Sequence, residues 1–402
     1  MSGMCKLYVA AGAALAIAVL APPGGAHAAG FKVLHSYTGG DDGFLPEGLV
    51  RDRAGNLYGA TDVGGRKGIY GLGAVFDLSP DGSYNVLYAF KSNLKDGKYP
   101  IANVARDKAG NLYGTTEYGG GAYDVCRMTG CGIIYEVAPD GSETVLHRFE
   151  GSDGADPDNT PIPDAHGNLY GTTFYGGAYG SGVVFGLSPK GKLDVLHSFS
   201  GSDGAGPAGA LIADQSGDLY GATVSGGESQ SGVIYKLAPD GTLTVLHAFQ
   251  GLSDGSVPNG PLVRDADGNL YGTTVGGGST CGDGDGCGVA FKLAPDGTLT
   301  VLHVFTAGSD GGYPEGGLIA DGAGNLYGVT VDGGIQDCQG PGCGVVFKLT
   351  ADGTETVLYS FDTGDSGFHP QEGLTIDGHG DLYGTTWEGG ADGFGTIFRL
   401  KN

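Results

Sequence analysis

The tripeptide Leu-Tyr-Gly, each time preceded by Asn or Asp, recurs with its tyrosine at Tyr58, Tyr113, Tyr170, Tyr220, Tyr271, Tyr327 and Tyr383. The spacings, 55, 57, 50, 51, 56 and 56 residues, leave no unit unaccounted for between Ala28 and the end of the chain. A fixed period of this length requires a repeat architecture whose units bury their faces against one another. Gly and Pro occupy 83 and 18 of 402 positions, which without a period would read as low complexity. Here 40% of residues are hydrophobic and recur in order, so a core is expected.

Each unit reads as four strands, most clearly in the fifth. Pro261–Arg264 is followed by the turn Asp265-Ala266-Asp267-Gly268, then Asn269–Thr274, a glycine-rich loop, Gly288–Leu293, the turn Pro295-Asp296-Gly297 and Leu299–Phe305. Asp-Gly and Gly-Asn between short β-branched or aromatic runs are hairpin signals, because both residues tolerate positive φ. No segment carries a helical period. The seventh unit ends after its third strand, Thr396–Leu400, while Phe31–Tyr37 matches the fourth-strand pattern of Val195–Phe199. An N-terminal strand that completes the last blade closes a ring, so the expected fold is all-β, a single seven-bladed β-propeller of four-stranded blades. Pro161, Pro163 and Pro261 fall in first strands, which places those strands innermost, with a free edge on the central channel.

The N-terminus reads as an export signal. Lys6 precedes the apolar run Leu7–Ala21, and Ala26-His27-Ala28 suits cleavage after Ala28, giving a leader over 1–28 and a propeller over 29–402. No further segment is long and apolar enough to span a membrane. Beyond Cys5 the cysteines form three close pairs, Cys126 with Cys131, Cys281 with Cys287 and Cys338 with Cys343. No histidine stands near to complete a zinc site, so local disulfides of an oxidising compartment are expected, secreted or periplasmic. A formal charge of -24 excludes a general basic field for nucleic acid or anionic lipid.

The Asn-Leu-Tyr-Gly-Thr-Thr second strands and the third strands Gly73-Ala74-Val75-Phe76, Gly182-Val183-Val184-Phe185 and Gly344-Val345-Val346-Phe347 resemble the bacterial extracellular tandem repeats called GloVer, or choice-of-anchor repeats. The resemblance covers nearly all of residues 31–400. It implies an exported repeat protein and supplies no reaction and no catalytic residue.

Function is expected on the face that gathers the inter-blade and second-to-third-strand loops, with the Asp-Gly loops at Asp42, Asp96, Asp153, Asp203, Asp254 and Asp310 and with Asp365. At the channel mouth Glu47, Asp158, Asn259, Glu315 and Glu372 follow a proline near the start of a first strand. Converging carboxylates there suit a cation, an acid–base pair or simply a solvated rim. Phe44, Tyr99, Tyr118, Tyr123, Tyr175, Tyr179, Tyr313, Phe368 and Trp387 suit stacking on sugars or packing between loops. Among them Tyr118, Tyr175 and Trp387 are the ligand-binding candidates. Asp283 and Asp285 alternate with glycine as in a calcium loop but offer two carboxylates against the six to eight oxygens calcium prefers. A disulfide-closed turn is therefore expected, with no cofactor assigned and calcium as the alternative. The turn aspartates Asp52 to Asp377, and His35, His147, His197, His247 and His303, recur by unit and read as structural. A monomeric binding propeller for a polysaccharide or an extracellular protein is the first expectation. A carbohydrate hydrolase or lyase using the rim carboxylates, and a structural surface component, are the alternatives.

Overall fold

Each Leu-Tyr-Gly motif forms the second strand of a four-stranded antiparallel sheet, and seven such sheets form the ring of blades. The computed structural model describes residues 30–402 except 66–70, 94, 123, 127, 128, 279, 280, 282, 283, 337, 339 and 341. The leader expected over 1–28 lies outside these residues. Blade 1 comprises Phe44–Arg51, Leu57–Val63, Ala74–Leu78 and Tyr84–Ala89, in that order from the channel outward. Blade 7 comprises Thr375–Ile376, Leu382–Thr386, Thr396–Leu400 and, outermost, Phe31–Ser36. Phe31 pairs with Leu400 and Ser36 with Thr396, so the N-terminal strand closes the ring. No helix among the described residues is long and apolar enough to cross a membrane.

The first strands differ from their expected extent. In blade 5 the strand covers only Val263–Arg264, and in blade 3 only Ile162–Pro163, so Pro161 and Pro261 lie just ahead of the ladder. The reason is crowding at the axis, where neighbouring backbones approach too closely to remain ladder-paired to their own blades. A Cβ on Gly260 would lie 2.3 Å from the Gly317 nitrogen, and one on Gly316 would lie 2.5 Å from the Glu372 carbonyl carbon. Blades 1 and 4 keep longer first strands, Phe44–Arg51 and Ala205–Ala213, by bulging between Pro46 and Leu49 and between Ala208 and Ile212. A two-stranded ribbon of Gly97–Lys98 with Tyr118–Gly119 is an addition that the sequence did not signal.

The repeated residues make the joints. The glycine of Leu-Tyr-Gly leaves room for the third-strand ring, since a Cβ at Gly171 would lie 2.6 Å from Phe185 Cζ. That ring is then met edge-on by the aromatic after the preceding blade's fourth strand, as in Phe149–Phe185 at 5.4 Å and Phe305–Phe347 at 5.1 Å. Each edge-to-face pair contributes about 1 kcal/mol beyond the apolar area it buries. Between blades 7 and 1 the same joint is Tyr37 on Phe76.

On one face the repeated aspartate organises the turn between the first and second strands. Asp265 accepts from Asn269 N at 2.8 Å, Asn269 Nδ2 at 2.7 Å and Tyr271 Oη at 3.1 Å. The tyrosine of the motif therefore anchors the turn that precedes it. Arg51, Arg106 and Arg264 extend this across blades, lying over Tyr383, Tyr58 and Tyr220 at 5.5, 5.1 and 5.6 Å. On the other face the recurring histidines bind the inter-blade loops. His147, His197 and His247 each hold Asp153, Asp203 and Asp254 through Nε2 at 2.8 Å. One extra residue in the fourth strand, such as Leu196 between Val195 and His197, sets that register. Cys126–Cys131, Cys281–Cys287 and Cys338–Cys343 are bonded, with Cα separations of 5.2, 5.7 and 5.3 Å. Closing so short a ring contributes about 2 kcal/mol per bridge.

Candidate functional site

The first strands begin at the loop-rich end of the channel, and the residues after their prolines surround a cavity of about 460 Å3. Glu47, Asp158, Asn259, Glu315, Glu372 and Trp387 all line it. The other two candidates do not. Tyr118 lines a separate groove with Tyr99 and Lys98, held there by the short ribbon, and Tyr175 is 52% exposed and bridged to Ala155. Lying in equivalent loops does not place residues in one cavity. Trp387 directly follows its Thr-Thr pair, a place held by Glu117 and Phe174 in blades 2 and 3. Tyr118 and Tyr175 stand one residue later, where successive extended residues face opposite ways. Tyr123 and Asp283 lie outside the described residues. The loop aspartates Asp42, Asp153, Asp203, Asp254 and Asp310 are engaged by histidines, and Asp96 by Tyr88, so they hold loops rather than face the cavity.

The mouth is charged unevenly. Blades 6, 7, 1 and 3 bring Glu315, Glu372, Glu47 and Asp158, whereas blade 2 contributes Ile101, Ala102 and Asn103, blade 4 Ala208, Gly209 and Ala210, and blade 5 Asn259 and Gly260. Glu47 is 1% exposed, and its Oε1 receives no bond from an amide, a hydroxyl or a cationic group. Burial, then the charges of Glu372 and Asp62, raise its proton affinity well above that of a free carboxylate. Glu372 is pushed up to about 7 by burial, opposed by the hydrogen bond from Glu47 and reinforced by Glu315. The pair thus binds a shared proton more tightly than free carboxylates do. Burial also raises Glu315, with Asp332 adding to it. Asp158 rises to about 7 through burial, against its own amide and with Asp156 adding charge. Trp387 Nε1 is buried without an acceptor.

Sequence reasoning missed a second set of residues. Asp62, near the end of the second strand of blade 1, and Glu117, just after that of blade 2, are both raised by burial, Asp62 to about 7 with help from Glu117. His369 stands 3.7 Å from Asp332 Oδ1 and 3.7 Å from Glu388 Oε1. It belongs to a series. Leu45, Tyr99, Asp156, Val257, Tyr313 and His369 each precede a proline and each adopt φ between 53° and 58°. Gly206 takes the same place in blade 4 with φ 61°. A left-handed non-glycine residue costs about 1–3 kcal/mol and persists only where its surroundings fix it. Here two backbone bonds do so. Asp156 N donates to Cys131 O at 3.1 Å, and its carbonyl accepts from Phe174 N at 2.9 Å. Tyr313 and His369 repeat this with Cys287 and Val331, and with Cys343 and Trp387. The disulfides therefore brace blade joints at the mouth. The available signal was variation, since the residue before each proline changes from unit to unit while the proline itself repeats.

Chemically, the cavity offers paired carboxyls with raised proton affinity, two further carboxylic side chains, Glu315 and Asp158, the latter accepting from Asn159 Nδ2 at 2.8 Å, and one indole. Among the described residues no three His, Cys, Asp or Glu side chains come together in metal-binding geometry.

Among solved structures the chain is similar to a streptogramin B lyase, with a TM-score of 0.58, 15% identity, and 92% of this chain and 97% of that chain covered. It is also similar to the extracellular domains of two further proteins of B. thetaiotaomicron. One is a candidate one-component system (TM-score 0.56, 10% identity, 92% of this chain, 40% of that chain). The other is a candidate hybrid two-component system (TM-score 0.55, 15% identity, 92% of this chain, 41% of that chain). The chain thus spans about two fifths of each of those two chains. At these identities the likeness establishes the propeller fold. No curated protein matches the chain. The sequence profile of the Gloeobacter/Verrucomicrobia repeat matches residues 121–339 and 279–402, well over half of the molecule, and the chain belongs to that repeat family.

Proposed function

We propose that the protein is an exported binding propeller, secreted or periplasmic, whose channel mouth takes a polysaccharide or the surface of an extracellular protein. The observation that carries this reading is the cavity itself, which brings Glu47, Glu315, Glu372, Asp158 and Trp387 together and leaves Glu47 Oε1 and Trp387 Nε1 without partners. Buried polar groups in a folded protein are ordinarily satisfied, so orphans facing a cavity mark places where a ligand completes the bonding. The disulfides and the leader-like N-terminus support export. The occurrence of this fold as extracellular domains is consistent with a binding role. Native affinity electrophoresis through gels cast with a panel of polysaccharides tests the reading. Retardation by one polymer, lost in Trp387→Ala, is expected. Free migration through every gel would transfer the weight to a protein partner, and retardation unchanged in Trp387→Ala would remove the mouth from the site.

The Glu47–Glu372 pair favours one second reading, a carbohydrate hydrolase or lyase in which a protonated carboxyl acts as acid and its neighbour as base. Product analysis on the retarding polymer decides it. Turnover abolished by Glu372→Gln with binding retained would establish catalysis, and activity that survives both Glu47→Gln and Glu372→Gln would end this assignment.

A further inference from the structure

The mouth is built to accept hydrogen bonds and lacks a positive charge of its own. Four carboxylic side chains, Glu47, Asp158, Glu315 and Glu372, line the cavity, and its described lining includes no Lys, Arg or His. Behind them stand Asp62, Glu117, Asp156 and Asp332, with His369 held beside Asp332 and Glu388. The protein supplies donors freely elsewhere, for each recurring turn aspartate is held by backbone amides and a tyrosine, most of them also by an asparagine. Glu47, more deeply buried than any of those aspartates, is given none of these.

A group that satisfies this wall must donate hydrogen bonds and carry positive charge. A hydroxyl donates to one carboxylate but leaves the mutual repulsion of the others in place. An ammonium donates three bonds and offsets that repulsion at once. Trp387 adds an independent requirement, because it lines the same cavity and its buried Nε1 lacks an acceptor oxygen. Its ring face suits either a cation or the apolar face of a sugar. Ammonium, acceptor oxygen and stackable face within about 460 Å3 are met together by a hexosamine residue with a free amine. A lysine side chain supplies the first but neither of the others.

We propose that the channel mouth binds a polysaccharide bearing free amino sugars, its ammonium seated among Glu47, Glu372 and Glu315 and its ring against Trp387. This rests on the reading of the mouth as the binding site. Seating the cation draws the proton off the Glu47–Glu372 pair, so binding releases protons to solvent.

Isothermal titration of the mature protein with a glucosamine hexamer, its N-acetylated counterpart and a trilysine peptide, at pH 6 in two buffers of different ionisation enthalpy, tests the proposal. The glucosamine hexamer should bind with proton release, and the N-acetylated one about tenfold or more weaker. Glu47→Gln and Glu372→Gln should lose a similar factor for the free-amine hexamer alone, with melting temperatures not lowered. Equal binding of both hexamers, with Trp387→Ala still abolishing it, would overturn the ammonium assignment while leaving the mouth as the site. Binding of the free-amine hexamer indifferent to Glu47→Gln, Glu372→Gln and Trp387→Ala would overturn both. Preference for trilysine would overturn the sugar and assign the ammonium to a protein.

Discussion

The two ends of the channel treat the same chemical group in opposite ways. At the turn face Asp52, Asp164, Asp214, Asp265, Asp321 and Asp377 are held below the usual carboxylate range, because hydrogen bonds from neighbouring amides, Asn and Tyr outweigh the burial that would raise them. At the loop-rich mouth Glu47, Asp62, Asp158, Glu315 and Glu372 are all raised, with burial the largest cause in each. Carboxylates surrounded by donors stabilise a fold, whereas carboxylates deprived of them cost stability and persist where something else completes them. Repetition separates the two. The turn aspartate recurs in every unit, while the mouth carboxylates occur in some blades and are replaced by Ala208 and Asn259 in others.

The sharpest way to break this contrast is to remove one carboxylate of each kind. Asp265→Ala strands Asn269 and Tyr271 and should cost about 3 kcal/mol in urea unfolding at pH 7. Glu372→Gln should cost nothing and raise the unfolding midpoint at pH 8. A comparable loss in both variants would end the distinction. Next in size is the pH profile. Mouth carboxyls whose folded pKa exceeds the unfolded value bind more protons in the native state, so their contribution is complete below about pH 4.5 and is lost as pH rises through about 7. The turn aspartates act in reverse, with stability lost as pH falls below their usual 3.8. Thermal unfolding from pH 3 to 8 should therefore peak near pH 5. A double variant, Glu47→Gln with Glu372→Gln, should flatten the alkaline side. The gain is about 1.4 kcal/mol for each pH unit by which folding had raised the titration of these carboxyls, less where solvent reaches them. A steep alkaline side in that variant would mean the mouth is not its source. The smallest effect compares orphans. Tyr235 Oη is buried without a partner and outside the mouth lining, and Phe stands at its place in other blades, as at Phe185 and Phe291. Tyr235→Phe should gain up to about 1 kcal/mol and leave binding unchanged, whereas Trp387→Phe should keep stability and lose binding. Lost binding in Tyr235→Phe would show that an unpartnered group does not mark a site.

The fold was legible because its determinants are local and repeated sevenfold. Leu-Tyr-Gly, the hairpin turns and the orphan strand Phe31–Ser36 define blades and closure without any knowledge of contacts between blades. The acidic rim was legible for the same reason, since Glu47, Glu315 and Asp158 directly follow the proline that opens an inner strand. Asp62, Glu117 and His369 escaped because their importance arises between blades, where Asp62 bears on Glu117 and His369 meets Asp332. Tyr118 and Tyr175 erred in the opposite direction. They occupy promising loops, but each stands one residue beyond the place that Trp387 holds after its Thr-Thr pair, at the position that pairs with Lys98 or Ala155.

Closure through Phe31 and Leu400 also determines when the molecule can finish folding. Joining ends across the whole chain rather than across one blade adds only about 1.7 kcal/mol of entropy, so the cost at equilibrium is slight. In time it is severe. Every other sheet forms from strands within one unit, but the last requires both extremities of the polypeptide, and contacts of such sequence separation form late. Until then Thr396–Leu400 presents a bare edge, which Phe31–Ser36 of a second molecule fits as well as its own. Refolding in concentrated solution therefore favours strand-exchanged chains of open rings, and dilution favours the closed one.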